Sequence, residues 1–135
     1  MHKFPITNYK NYSQLPLDEF NTQKFSIYII DFDWNYVFAN DCAYKTLNKT
    51  ENDLIGKNMF TGIEVDPEYS RFLKKVENGS VSNIIAISPA TRKRVSVTGY
   101  PLEDCYYFAV SALPDKEDLM NELRSQLPGR PAKNN

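Results

Sequence analysis

The sequence predicts an α+β domain of five strands, a few short helices between them, and one more helix at the C-terminus. Two observations carry that expectation. Short blocks rich in aromatic and β-branched residues recur at 26–32, 36–39, 81–88, 94–100 and 106–113, as strands do. Between the second and third blocks, residues 40–78 carry helix-start signals and apolar residues at helical spacing.

The elements follow in order. Residues 1–23 form a polar and aromatic N-terminal flank, read as packing on the domain; Pro16 with Asp18 and Glu19 starts a short helix there. Ser26 to Phe32 reads as a strand, Asp33-Trp34-Asn35 as a turn, and Tyr36 to Ala39 as the returning strand. Asn40 and Asp41 suit the cap of a helix on which Ala43, Leu47 and Tyr44 recur, and Asn48 closes it. Thr50 with Asp53 is a loose capping box, Leu54-Ile55 a short apolar plug, and Gly56 the end of the turn. Asp66-Pro67-Glu68 opens a longer helix whose Tyr69, Phe72, Leu73 and Val76 share one face, and Asn78-Gly79 stops it. Three strands follow. In the middle one, Val95 and Val97 alternate with Ser96 and Thr98. Asp115 caps a helix to Leu127 with a stripe of Leu119, Leu123 and Leu127. Pro128-Gly129 ends it, leaving 128–135 as a disordered tail. The division expected is flank 1–23, domain 24–113, helix 114–127 and tail 128–135.

The 135 residues suffice for one core without a staple, and nine Tyr and eight Phe supply large areas to bury. Sixteen basic against 17 acidic side chains give no strong field for nucleic acid or an anionic membrane. The basic run Arg92-Lys93-Arg94 reads as a solvated hairpin end. No segment has the length of a membrane span or a signal peptide, so a cytoplasmic protein with reduced thiols is expected, and the Asn11 and Asn48 glycosylation triplets carry no meaning. Cys42 and Cys105 fit no zinc spacing. Cys42 reads as a small buried hydrophobe and Cys105, beside Asp104 in an expected turn, as exposed and oxidisable.

Asp31, Asn40, Ala43 and the run Asp53-Leu54-Ile55-Gly56-Lys57-Asn58 fall in an order that resembles a PAS domain over about residues 25 to 127. Asp31 stands where that family often has an acid closing its first strand, Asn40 between its second strand and helix, and the Gly56 run at its helix-to-helix hinge. Two features depart from the pattern. Trp34 occupies a turn position where many relatives have Gly, and Leu113-Pro114-Asp115 replaces an acid-led triplet after the last strand.

The resemblance implies a five-stranded antiparallel sheet with short helices over one face, a C-terminal exit helix, and a sensory module in signal transduction that holds a small ligand or a signalling partner such as a kinase or regulator. His-ligated haem is not expected, because the one His is His2; cysteinyl-flavin is not expected, because no Cys follows Gly56. The cofactor is otherwise unknown. A cavity between sheet and helices would be lined by Leu47, Leu54, Ile55, Met59, Phe60, Phe72, Val76, Ile85, Ile87, Val97, Phe108 and Val110, or these residues fill the core. Tyr28, Tyr36, Phe38 and Tyr107 are expected on the other sheet face, covered by the flank or by a second chain in a homodimer to which Leu119, Leu123 and Leu127 contribute. Two other readings remain. One is a ligand-free dimerisation domain. The other is a small pocket enzyme of isomerase or dehydratase type using Asp31 and a Tyr; no catalytic set containing His can form, and no metal cluster is visible.

Overall fold

A computed structural model describes residues 8–61, 64–88, 91–114, 120, 123 and 124 of the chain. Five strands, β1 (Ser26–Asp31), β2 (Tyr36–Ala39), β3 (Ser82–Ile87), β4 (Arg94–Pro101) and β5 (Cys105–Ala112), form one sheet in the order β2-β1-β5-β4-β3, every neighbouring pair antiparallel. Helix α1 (Leu17–Phe20) precedes the sheet, and α2 (Asp41–Leu47), α3 (Glu51–Leu54) and α4 (Pro67–Glu77) lie in the connection from β2 to β3. The expected exit helix falls mostly outside the described residues.

Antiparallel register puts alternate residues on opposite faces. Ile30, Tyr106, Phe108, Val95, Val97 and Ile84 face the inner side, where Phe72, Leu73 and Val76 of α4 close over them. Ile27, Ile29, Tyr107 and Ala109 face the outer side, where Leu15 and Phe20 of the flank cover them. The central strands β1 and β5 are thus buried on both faces. That is why their sequences run nearly unbroken in apolar residues, whereas β4 alternates with polar ones. At Gly99 the inner face leaves no room for a side chain: an added Cβ would lie 2.7 Å from Val76 Cγ2 and 2.8 Å from Phe108 Cε1.

The local signals in the sequence correspond to bonds. Asp66 Oδ1 accepts from the Tyr69 N–H at 2.8 Å and caps α4. The Thr50 N–H and hydroxyl both donate to Asp53 Oδ2 at 3.0 Å. Asn48 closes α2 in the left-handed conformation, with φ 55°. Gly56, with φ 87°, takes a backbone angle that side chains disfavour.

Asn40 is fully buried and makes four bonds. Its Oδ1 accepts from the Ala43 N–H at 3.0 Å, capping α2, and from the Ile27 N–H at 2.9 Å in β1. Its amide donates to the Phe20 carbonyl at 2.8 Å and the Phe25 carbonyl at 3.0 Å. Asn40→Asp keeps the two acceptor contacts but turns a carboxylate oxygen toward two carbonyls that lose their donor. Unsatisfied buried polar groups cost about 1–3 kcal/mol each, so this variant is expected to unfold at markedly lower urea concentration than the parent. A midpoint unchanged in chemical denaturation would contradict the role.

Candidate ligand site

The side of the sheet that faces α2, α3 and α4 gathers most of the residues expected to line a pocket. Leu54 is buried and Leu47 half-buried against Ala39 and Ala43. Phe72, Val76, Val97 and Phe108 form the inner core, with Met59, Phe60 and Val110 packed at its margin. Ile55 is half-buried just past α3.

Two members of that set lie elsewhere. Ile85 and Ile87 are 55% and 59% exposed on the outer face. Ile84 pairs with Val97 and Ala86 with Val95, so the inward residues of β3 are the even-numbered ones.

Tyr28 and Tyr36, expected on the outer face, are also corrected. Tyr28 pairs with Phe108 and shares its inward side. Tyr36 faces inward because β2 carries a bulge: Ile29 pairs with Phe38 but Ile30 pairs with Tyr36, leaving Val37 as an extra residue between them. Only Phe38 and Tyr107 of that group lie outward, and the flank already covers them: the Phe20 ring centroid is 6.2 Å from that of Phe38 and 5.5 Å from that of Tyr107. Leu123 is 51% exposed, and Leu119 and Leu127 lie outside the described residues. Cys105, expected in an exposed turn, is the first residue of β5 and is buried.

Much of the inner face is filled by rings. Trp34 stacks on Tyr106 at 4.7 Å and touches Phe60 and Phe108 at 5.5 and 6.4 Å. Phe72 reaches Phe108 at 6.2 Å. Trp34 adopts φ 68°, the left-handed conformation that the usual glycine would take without strain. Such a conformation costs a bulky residue roughly 1–2 kcal/mol. Each ring pair is worth about 0.5–1.5 kcal/mol, so the three ring contacts of the half-buried indole offset the strain. Asp31 is spent on the same turn. Its Oδ1 accepts from the N–H groups of Asp33 and Asn35 at 3.0 and 2.8 Å, so it is a turn residue and not a pocket acid.

A polar cluster that the sequence did not reveal lies where β1, β2 and the start of α4 meet. The rings of Tyr28 and Tyr36 are 5.7 Å apart, and Tyr69 packs against the same inner core, with Tyr36 disfavouring the ionisation of both Tyr28 and Tyr69. Burial is the main cause, and each phenol is held protonated: Tyr28 and Tyr36 above their ordinary range, Tyr69 pushed up to about 12, with Tyr36 and Asp66 adding to the rise. The cluster is a set of neutral phenols in an apolar frame of Leu47, Leu54, Met59 and Val65, with the Ser26 side chain hydrogen-bonded to Tyr28. At the opposite edge of the sheet, a separate open cleft of about 220 Å³ runs between α4 and β3, lined by Glu68, Arg71, Lys75, Ser82 and Asn83. Among the described residues no group of acids, Cys or His is arranged to hold a metal, and no helix is long and apolar enough to cross a membrane.

This arrangement, a sheet in the order 2-1-5-4-3 with short helices across one face, defines the PAS fold, and the chain has that fold. It is similar to the photoactive yellow protein domain of the sensor histidine kinase Ppr from Rhodospirillum centenum, at 20% identity and TM-score 0.57, covering 73% of this chain and 94% of that one. It is similar also to the PAS domain of nitrogen regulation protein NR(II) from Vibrio parahaemolyticus, at 14% identity and TM-score 0.57 over 74% and 99%. A third is the PAS domain of the Cronobacter turicensis RpfR quorum-sensing receptor in complex with BDSF, at 16% and 0.55 over 68% and 96%. No protein-family model and no curated protein matches the sequence, so the likeness is one of fold.

The buried acids of this core set its alkaline limit. Burial pushes the Cys105 thiol up to about 12, with Asp104 adding to it, and Tyr69 likewise. In the unfolded chain these groups ionise near 9.0 and 10.0. Their contribution to stability is full below the unfolded values and is lost as pH rises through the folded ones. The urea midpoint is therefore expected to hold steady up to pH of about 9 and to fall from there toward about 12; a midpoint that climbs over that range would contradict the burial of these groups.

Proposed function

We propose that the chain is a PAS sensory and interaction module, non-enzymatic, that binds a small ligand on the inner side of its sheet and relays occupancy through its flanking segments to a signalling partner such as a kinase or regulator. The observation that carries the reading is the tyrosine cluster. Three phenols held as neutral donors, beside apolar side chains of α2, α3 and the loop before α4, suit a ligand with an apolar body and a hydrogen-bond-accepting head. The neighbouring folds from a sensor kinase and a ligand-bound receptor support the class, and the engagement of Asp31 in its turn favours this reading over a pocket enzyme.

Relay is a matter of shifting populations: a ligand favours whichever packing of the helices accommodates it better. The helices are tied to the flank through Asn40, so α2 and α1 share a support. A second reading, a ligand-free interaction domain, is favoured by the aromatic filling around Trp34.

Decanoic acid, with an aliphatic body and an acceptor head, is a suitable probe. Calorimetry is expected to register binding to the full chain, weakened roughly tenfold in Tyr28→Phe or Tyr69→Phe, since one lost charge-assisted hydrogen bond is worth about 1.5–3 kcal/mol. Each variant keeps its ring and so its packing. No heat from the parent chain, with no small molecule retained in a native mass spectrum, would favour the ligand-free reading.

A further inference from the structure

Of the large apolar side chains left in solvent, Val81, Ile85 and Ile87 lie together, on or next to β3. This strand is an edge of the sheet. The opposite edge, β2, is covered at Tyr36 by its own chain: the Tyr36 N–H donates to the Lys57 carbonyl at 2.9 Å, and the Gly56 N–H donates to the Tyr36 carbonyl at 2.8 Å. β3 has no such cover among the described residues.

The phase of its hydrogen bonds can be read from the hairpin. The Ser88 N–H donates to the Lys93 carbonyl at 2.9 Å, and Ser82, Ile84 and Ala86 continue that set opposite Gly99, Val97 and Val95. Those residues turn their backbone groups to β4. The N–H and C=O groups of Asn83, Ile85 and Ile87 therefore point out to the open edge. The same three residues place their side chains on the outer face, beyond the area that Leu15 and Phe20 cover.

The charge pattern favours this strand's own sequence as the complement. Ser80 to Thr91 contains no charged residue. Glu77 precedes that run, and Arg92, Lys93 and Arg94 follow it. In an antiparallel pair of identical strands centred on Ile85, Glu77 of one copy falls opposite the partner's Lys93, and no charged residue lies within the paired run itself.

We infer that β3 is the interface through which two copies of this chain pair, edge to edge and antiparallel, extending the sheet across a two-fold axis at Ile85. That axis sets Ile85 against the partner's Ile85 and Asn83 against the partner's Ile87, with the outward backbone groups of all three residues bonded. It covers the isoleucines, and it closes: each copy uses the β3 edge left open among the described residues, so the assembly stops at two. The surface differs from the outer-face tyrosines and C-terminal leucines expected from the sequence, and it stands independently of the ligand reading.

Sedimentation equilibrium of the full chain is the test. The parent chain is expected to dimerise, and Ile85→Lys, which puts like charges together on the axis, is expected to weaken the dimer by at least roughly tenfold. In amide exchange the Ile85 and Ile87 N–H groups are expected to be protected in the parent and fast in the variant, while Ile84 and Ala86, bonded to β4, stay protected in both. That pattern separates a lost interface from a lost fold. A monomeric parent chain overturns the proposal. So does a dimer untouched by Ile85→Lys, and so does one that Leu123→Ser dissociates while Ile85→Lys leaves it intact, which would place the contact on the C-terminal helix.

Discussion

One buried amide holds the architecture together. At Asn40 the flank, the segment before β1, β1 itself and the start of α2 meet through a single side chain. Its donors and acceptors match their four backbone partners in number and kind, which no other residue of that size can do. A helix cap alone would be served by Asp or Ser. The two carbonyls on the other side of the group require the NH2, and so the position specifies Asn. The flank is thereby part of the domain and not an appendage, and Phe20, docked through the same bond, seals the outer face over Tyr107.

Burial across the sheet is graded, and the gradient organises everything else. β1 and β5 are covered on both sides, by α2 and α4 on one and by the flank on the other. β4 and β3 are packed chiefly on the inner side: Ser96 and Thr98 turn outward, and Tyr100 at the end of β4 joins the outer cluster against Tyr107. The site region and the free edge consequently sit at opposite ends of one sheet. The aromatic stack around Trp34 lies along the face between them. One packed cluster runs along that face from Tyr28 and Tyr36 to Ile84.

Elements and caps were legible in the sequence; faces were less so. Asn40, Thr50 with Asp53, Asp66 and Asn48 all announce themselves because capping is chemistry local to a few residues. The four strands after the first turn begin and end within a residue of expectation. Facing is set by pairing, which is not local. The bulge at Val37 adds one residue to β2 without any mark in composition, and so separates Tyr36 from Phe38. In β3, Ile84-Ile85-Ala86-Ile87 is apolar in both phases, so alternation cannot choose between them. The signal that could have chosen is the hairpin: β4 alternates plainly with Val95 and Val97 inward, and counting back across the Ser88–Lys93 turn puts Ile84 and Ala86 inward too. The tyrosine cluster joins β1, β2 and α4 and requires the assembled fold to be seen.

The strained turn residue has a practical corollary. Trp34 is the chain's single tryptophan, and its indole is wedged between Tyr106 and Phe60 on the inner face. Excited beyond the absorption of its nine tyrosines, this protein emits from one place, so the colour and lifetime of that fluorescence are native gauges of the packing there, with no label added and no second indole to subtract.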